Sequence, residues 1–266
     1  MQMFQYDFMR HAFMVGIPLA IIIPCIGLVA VLRRLSMIGD ALSHTSLAGV
    51  AAGLIMGINP IVGAVVACSI AALGIEGIRR RFPRHGELAI AIILSAGVSL
   101  SGILSGYVKS SANFNSFLFG SILAITSFEL YLVIGLSAVV LLVFLLFYKE
   151  LQFVSFDERG ARLAGVRVGV VNTVFTILTA ITVSIAARTV GALMVSSMMV
   201  IPAACSMQLA KSYRSALVLS AGCGVLFTII GLTISFYAGP RPSATVVLVG
   251  VVVLLLLFII KPLRRG

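Results

Sequence analysis

A carboxylate and an imidazole stand one helical turn apart in Met37-Ile38-Gly39-Asp40-Ala41-Leu42-Ser43-His44-Thr45-Ser46-Leu47-Ala48-Gly49. On a helix, residues four apart share a face, so Asp40 and His44 point the same way. Carboxylate oxygen with imidazole nitrogen is a donor set that suits Zn²⁺ or Mn²⁺. Two donors make a poor site. A two-fold pair of chains would bring two Asp and two His together, which is a set of four. A plainer reading stays open beside this one: Asp40 caps the helix N-terminus and His44 is a satisfied interior histidine.

Two further stretches carry polar or charged groups in a pattern. Residues 155–167 read as one short amphipathic cytoplasmic helix with the sequence Ser155-Phe156-Asp157-Glu158-Arg159-Gly160-Ala161-Arg162-Leu163-Ala164-Gly165-Val166-Arg167. Mixed charges around small residues suit docking onto another protein, and a solvated loop is the alternative. Residues 190–204 carry Ser196, Ser197, Met198, Met199 and Pro202. A proline inside a span frees a carbonyl and permits a bend. The two serines could line a polar path. Met198 and Met199 fall on different faces, so they read as packing residues and not as a soft-metal pair.

The elements that must position these residues are membrane helices. Of 266 residues, 61% are hydrophobic and only 10% charged, with a mean hydropathy of +1.19. A soluble domain carries about 25% charged residues, and a disordered chain needs low hydrophobicity. Spans of about 20 apolar residues cross the hydrocarbon core. Nine are expected, near 12–32, 41–57, 61–78, 88–106, 129–148, 168–187, 190–210, 215–237 and 243–260, with eight full crossings as the alternative because the second opens on Asp40 and His44. Gly57-Ile58-Asn59-Pro60 breaks the uninterrupted run 41–75 into a tight hairpin. Ser110-Ser111-Ala112-Asn113-Phe114-Asn115-Ser116 is too polar to span, and 110–128 reads as an outer loop with a short amphipathic or re-entrant piece.

Along the nine-span path fifteen of the 19 Lys and Arg fall on one side, leaving Arg10, Lys109, Arg188 and Arg241 on the other. Basic residues collect on the cytoplasmic face, so the N-terminus is expected outside and the C-terminus in the cytoplasm. That asymmetry accounts for the net charge of +11 without nucleic acid. The first apolar run reads as a span and not as a cleaved leader. Cys25, Cys68, Cys205 and Cys223 each sit in an apolar stretch and read as small buried side chains. Gly49, Gly53, Gly222 and Gly224 read as helix-packing positions. Glu76 is expected to pair with the Arg79–Arg81 cluster, and Glu129 to open a span from outside, where a carboxylate favours a helix N-terminus. His11 and His85 read as membrane-edge residues. No GxxxxGK[ST] loop and no HExxH occur, so neither a nucleotide-hydrolysing nor a zinc-protease signature is present.

With these residues in view, the chain resembles the ABC-3 type permeases of zinc and manganese transporters. The resemblance rests on Arg33-Arg34-Leu35-Ser36 with Gly39-Asp40-Ala41-Leu42-Ser43-His44, on Phe119-Gly120-Ser121-Ile122-Leu123, on Arg162-Leu163-Ala164-Gly165-Val166, and on Gly191-Ala192-Leu193 through Ile201-Pro202-Ala203-Ala204. It implies an all-α polytopic bundle similar to the vitamin B12 and siderophore importers but without their first helix. The whole of 1–266 would then be one permease domain in a bacterial cell membrane. The resemblance also implies partners: a second copy of the chain, a cytoplasmic ABC ATPase dimer, and an external metal-binding protein or lipoprotein. ATP hydrolysis would belong to the ATPase, and Zn²⁺ (placed ahead of Mn²⁺) would pass as substrate, with no permanently bound cofactor. Residues 155–167 become the coupling helix, with Phe156, Asp157, Glu158, Gly160, Ala161, Arg162 and Gly165 at the ATPase contact. Asp40 and His44 become the preferred metal ligands, and Ser43, Ser196, Ser197 and Pro202 line the path. The competing reading is an ion-coupled secondary transporter or channel that works without an ATPase.

Overall fold

The computed structural model describes residues 6–82, 85–108, 120 and 127–263, of which Ser127, Phe128, Leu193 and 261–263 by backbone alone. Every regular element among them is helical: α1 (Asp7–Leu32), α2 (Ile38–Met56), α3 (Pro60–Arg81), α4 (Gly86–Ser105), α5 (Ser127–Leu146), α6 (Tyr148–Phe156), α7 (Glu158–Leu163), α8 (Val168–Ala186), a π-helical segment Ala187–Gly191, α9 (Ala192–Leu209), α10 (Tyr213–Ala238) and α11 (Pro242–Leu263). Eight of the helical stretches among the described residues are long and apolar enough to cross a membrane, and Met194–Leu209 is a shorter apolar helix.

Contacts between distant residues fix which ends lie together. At one end Arg33 bonds Asn172, Arg80 bonds Thr173, and the rings of Tyr148 and Tyr213 lie 5.4 Å apart. At the other, Tyr6 meets Phe236 at 5.8 Å and Glu129 meets Arg188 at 3.0 Å. The long helices therefore run alternately between a basic end and an opposite end. Helix α9, with 18 residues the shortest of the long helices described, runs between the same two ends.

Several junctions follow from local chemistry. Gly57 closes α2 at φ +70°, and the Asn59 side chain caps α3 by accepting from the Ile61 N–H, with Pro60 at the first helical position. This is the hairpin that the sequence predicts. The α1–α2 turn is a Schellman motif: Leu35 N–H donates to Ala30 O and Arg34 N–H to Val31 O. Its left-handed position is taken by Arg34 at φ +58° where glycine would be easier, and Leu35 is buried beside it.

Glycines set the closest crossings. A Cβ at Gly49 would lie 2.4 Å from Gly63 O, one at Gly27 within 2.1 Å of Met199 O, and one at Gly224 within 2.3 Å of Ala20 O. Gly49 and Gly224 are thus packing positions as expected. Gly222 has open space around it, so close packing does not explain it.

Helices α1, α2 and α8 are the enclosed ones, whereas α11, α4 and α5 turn most of their surface outward. Helix α2 is the least hydropathic of the eight and among the most enclosed, packed by α3, α4, α8 and α9. Shielded from acyl chains, it tolerates Asp40, Ser43, His44 and Ser46, which a lipid-facing helix would not.

Candidate functional site

Asp40 is the third residue of α2, and His44 follows one turn deeper from the basic end. Met37 occupies the N-cap position and no side chain caps this helix. The capping role for Asp40 is therefore corrected: the carboxylate sits inside the first turn, where it complements the helix dipole. Both side chains are half-buried, and among the described residues neither has a hydrogen-bond or ion-pair partner. His44 is therefore not an interior histidine satisfied by its neighbours.

The contacts of α2 say which way the pair faces. A Cβ at Gly39 would meet Met199 Sδ at 2.9 Å and Ser196 Cα at 3.3 Å, so this face meets α9. The Cys68 thiol donates to Leu42 O at 3.2 Å, and Gly49 meets Gly63, so a second face meets α3. Gly97 of α4 lies on the Thr45 and His44 backbone. At about 100° per residue, Asp40 and His44 project from the side of α2 opposite its α3 contact. No group of three or more His, Cys, Asp or Glu converges among the described residues, so those residues supply at most this pair at the site.

The four serine and proline positions divide. Ser43 is 1% exposed, and its hydroxyl has no partner among the described residues. Ser196 is buried against Gly39, next to Asp40. Ser197 and Pro202 line a small apolar cavity with Gly224, Phe227 and Val246, between α9, α10 and α11. Ser43 and Ser196 are thus brought toward the Asp40 region, and Ser197 and Pro202 are not. Met198 and Met199 are both buried, as packing residues.

The segment 155–167 is not one helix. Helix α6 ends at Phe156, Asp157 adopts an extended conformation, and α7 covers only Glu158–Leu163. The break is local chemistry: Asp157 Oδ1 accepts from the Gly160 N–H at 2.9 Å, which caps the new helix. A Cβ at Gly160 would come within 2.4 Å of Asp157 Oδ2, so glycine there makes room for the cap. Ala161 is buried and anchors α7, while Phe156, Glu158, Arg162 and Leu163 are exposed. Glu158 and Arg162 form an i, i+4 pair at 3.3 Å. Gly165 leaves the helix at φ +86°, and α8 starts three residues later.

Around this element lies a polar network that the sequence reading caught only in part. Buried Glu76 accepts from Arg79 at 2.9 Å and from Arg80 at 3.1 Å, as its neighbours predict. Arg80 also reaches α8, donating to Gly169 O at 3.3 Å and Thr173 Oγ1 at 3.1 Å. Arg33 donates to Asn172 Oδ1 and lies over the Phe175 ring, 5.2 Å from its centre. Burial, and then the charge of Arg79, push the Arg33 guanidinium down to about 10, still protonated at neutral pH. At the opposite end Glu129 does open its helix, and it also pairs with Arg188 in the π-helical segment. No short-range pattern announces these long-range partners.

The outer segment 109–119 and 121–126, including the amphipathic piece expected there, lies outside the described residues. Gly120 is described: at φ +73°, a Cβ on it would come within 2.5 Å of Val190 and Gly191 backbone atoms.

Comparison with known proteins settles the class. The family described as "ABC 3 transport family" matches residues 5–261. The chain belongs to that family. Among its relatives is a "Probable metal transport system membrane protein" of Treponema pallidum, 34% identical over 99% of both chains. The "Manganese import system permease protein ScaB" of Streptococcus parasanguinis is 34% identical over 98% of this chain and 93% of its own length. The structure titled "PsaBC from Streptococcus pneumoniae in complex with Fab" superposes with a TM-score of 0.88 at 31% identity, covering 99% of this chain and 95% of that one. The structure titled "An inward-facing conformation of a putative metal-chelate type ABC transporter", at 16% identity and a TM-score of 0.68, shares the fold, with 94% of this chain and 85% of that one covered. This ABC 3 family member is therefore a multi-pass integral membrane permease with an all-α bundle.

Proposed function

We propose that this chain is the membrane-spanning subunit of an ATP-driven importer of divalent transition-metal ions. The observation that carries this reading is the Asp40–His44 pair: two half-buried metal-type donors on one face, without partners among the described residues, on an enclosed helix. In this reading a second copy supplies the other Asp and His, which completes a set of four. Mn²⁺ is placed ahead of Zn²⁺, because the relative named for its ion is a manganese import system and the donor set accepts either ion. Ser43 and Ser196 would line the path beside the pair. Ser197 and Pro202, on the far side of α9, are left out.

The basic end faces the cytoplasm in this proposal, with the N-terminus outside. The end of α6 and helix α7 then dock on an ATPase dimer through Phe156, Glu158, Arg162 and Leu163, with Asp157, Gly160, Ala161 and Gly165 shaping the segment. An external metal-binding protein delivers the ion. Nucleotide binding closes the ATPase dimer, α7 moves, and the bundle exchanges two packings that differ by a few kcal/mol. A transit site must also release its ion, so high affinity belongs on the delivery protein.

The test is Mn²⁺ uptake by the permease reconstituted with its ATPase and delivery protein, with Zn²⁺ as competitor. Uptake should require ATP and fall at least about tenfold in both Asp40→Ala and His44→Ala, since even outer-shell partners of a metal site are worth about that much. Undiminished uptake in both variants would remove the pair from the path. Uptake by the permease without its ATPase would favour the ion-coupled alternative.

A further inference from the structure

We infer that Arg33 and Arg80 are positioning residues: they tie the first two turns of α8 to the α1–α2 turn and to α3, so that a displacement of α7 reaches Asp40. The inference rests on the metal-importer reading and adds to it the route by which the ATPase acts on the pair.

Helix α8 is the first element after α7, entered through Gly165, Val166 and Arg167. Its first turns are held from two directions. Arg80, from the end of α3, donates to Gly169 O and Thr173 Oγ1. Arg33, from the end of α1, donates to Asn172 Oδ1 and stacks on Phe175. The two arms are anchored differently. Arg80 is fixed from behind by buried Glu76, which also holds Arg79. Arg33 is fixed by its position in a Schellman turn whose next helix carries Asp40 seven residues on.

Both arms lead to α2. From Arg33 the path is the turn 33–37 and then the first turn of α2. From Arg80 it runs through α3, which is locked to α2 at the Gly49–Gly63 crossing and by the Cys68–Leu42 bond. That crossing leaves no slack, because a single methyl on either glycine would overlap the other's carbonyl. Planar guanidinium groups suit such a link, since one side chain donates in several directions at once. Partial burial limits competition by water for the Arg33 bond, whereas the Arg80 bonds to α8 are exposed.

The experiment uses the permease assembled with its ATPase and delivery protein in proteoliposomes. It reads Mn²⁺ transported per ATP hydrolysed, together with the amount of assembled complex. Asn172→Ala should lower the ratio by about tenfold or more, the scale of one lost hydrogen bond to a charged group, and Arg80→Ala, which removes two bonds to α8 and one to Glu76, by at least as much. The double variant should lower it further. Asn172→Asp keeps an acceptor for Arg33 and should restore the wild-type ratio.

A purely structural role would reduce the assembled complex and leave the ratio unchanged; that result overturns the inference. Should Arg80→Ala fail to assemble, Thr173→Val, which deletes one hydroxyl and no charge, decides in its place: a lowered ratio supports the link and a wild-type ratio overturns it. A wild-type complex that hydrolyses ATP and moves neither Mn²⁺ nor Zn²⁺ would instead overturn the importer reading, and the inference with it.

Discussion

The two ends of the bundle are fastened in different ways. At the basic end a buried carboxylate, Glu76, holds two arginines of its own helix, and one of them extends the network to a second helix, α8. At the opposite end Glu129 and Arg188 meet at 3.0 Å in a partly buried pair beside a π-helical segment, and Gly191 there takes φ +98°. A π turn inside a helical run is rare and often marks a functional site. The first arrangement joins helices firmly near α7. The second joins a helix start to the α8–α9 junction and leaves that junction in a conformation few residues adopt. In the proposed exchange between two packings, the first end would be suited to transmit and the second to yield.

That contrast can be broken or sharpened by substitution, starting with the largest expected effect. Glu76→Ala leaves Arg79 half-buried and unpaired at 15% side-chain exposure, and removing one partner of a buried pair costs about 3 kcal/mol. Thermal unfolding of the detergent-solubilised protein should show a large drop, and a wild-type midpoint would show that the basic end is not held by this carboxylate. Glu129→Gln keeps the shape and a neutral acceptor. Its side chain is 14% exposed and that of Arg188 20%, so a loss of roughly 1–2 kcal/mol is expected. A cost as large as that of Glu76→Ala would erase the difference between the ends. Arg162→Ala touches a pair whose side chains are 72% and 45% exposed; exposed pairs of this kind contribute about 0.5 kcal/mol or less. Stability should barely move while ATP-coupled uptake falls, and a stability loss rivaling Glu129→Gln would recast α7 as a structural brace.

Much of this molecule is legible in its residues, and the parts that are not share a cause. Asn59, Pro60 and Gly57 write the α2–α3 hairpin locally, and the spans follow from where charges stop. Glu76 and its arginines are three and four residues apart, so helix periodicity suffices to pair them. Asp40 and His44 are visible for the same reason. The reach of Arg33 to Asn172 crosses 139 positions and that of Glu129 to Arg188 crosses 59; no spacing rule links such partners, and only packing brings them together. The break at Asp157 was readable in principle, since Asp followed by glycine three residues later is cap chemistry, but the amphipathic pattern ran across it. The π turn at Ala187–Gly191 joins two apolar runs whose hydropathy does not change there. Ser197 and Pro202 illustrate the remaining difficulty: a span's sequence does not say which neighbour covers which face.

Metal ligation by the α2 pair is the central claim, and pulsed electron paramagnetic resonance of Mn²⁺ held in the assembled complex tests it most directly. The wild-type complex should show nitrogen modulation from imidazole coordinated to the ion, and His44→Ala should abolish it while the complex remains assembled. Identical nitrogen modulation in His44→Ala, or its absence in a wild-type complex with Mn²⁺ bound, would contradict the account.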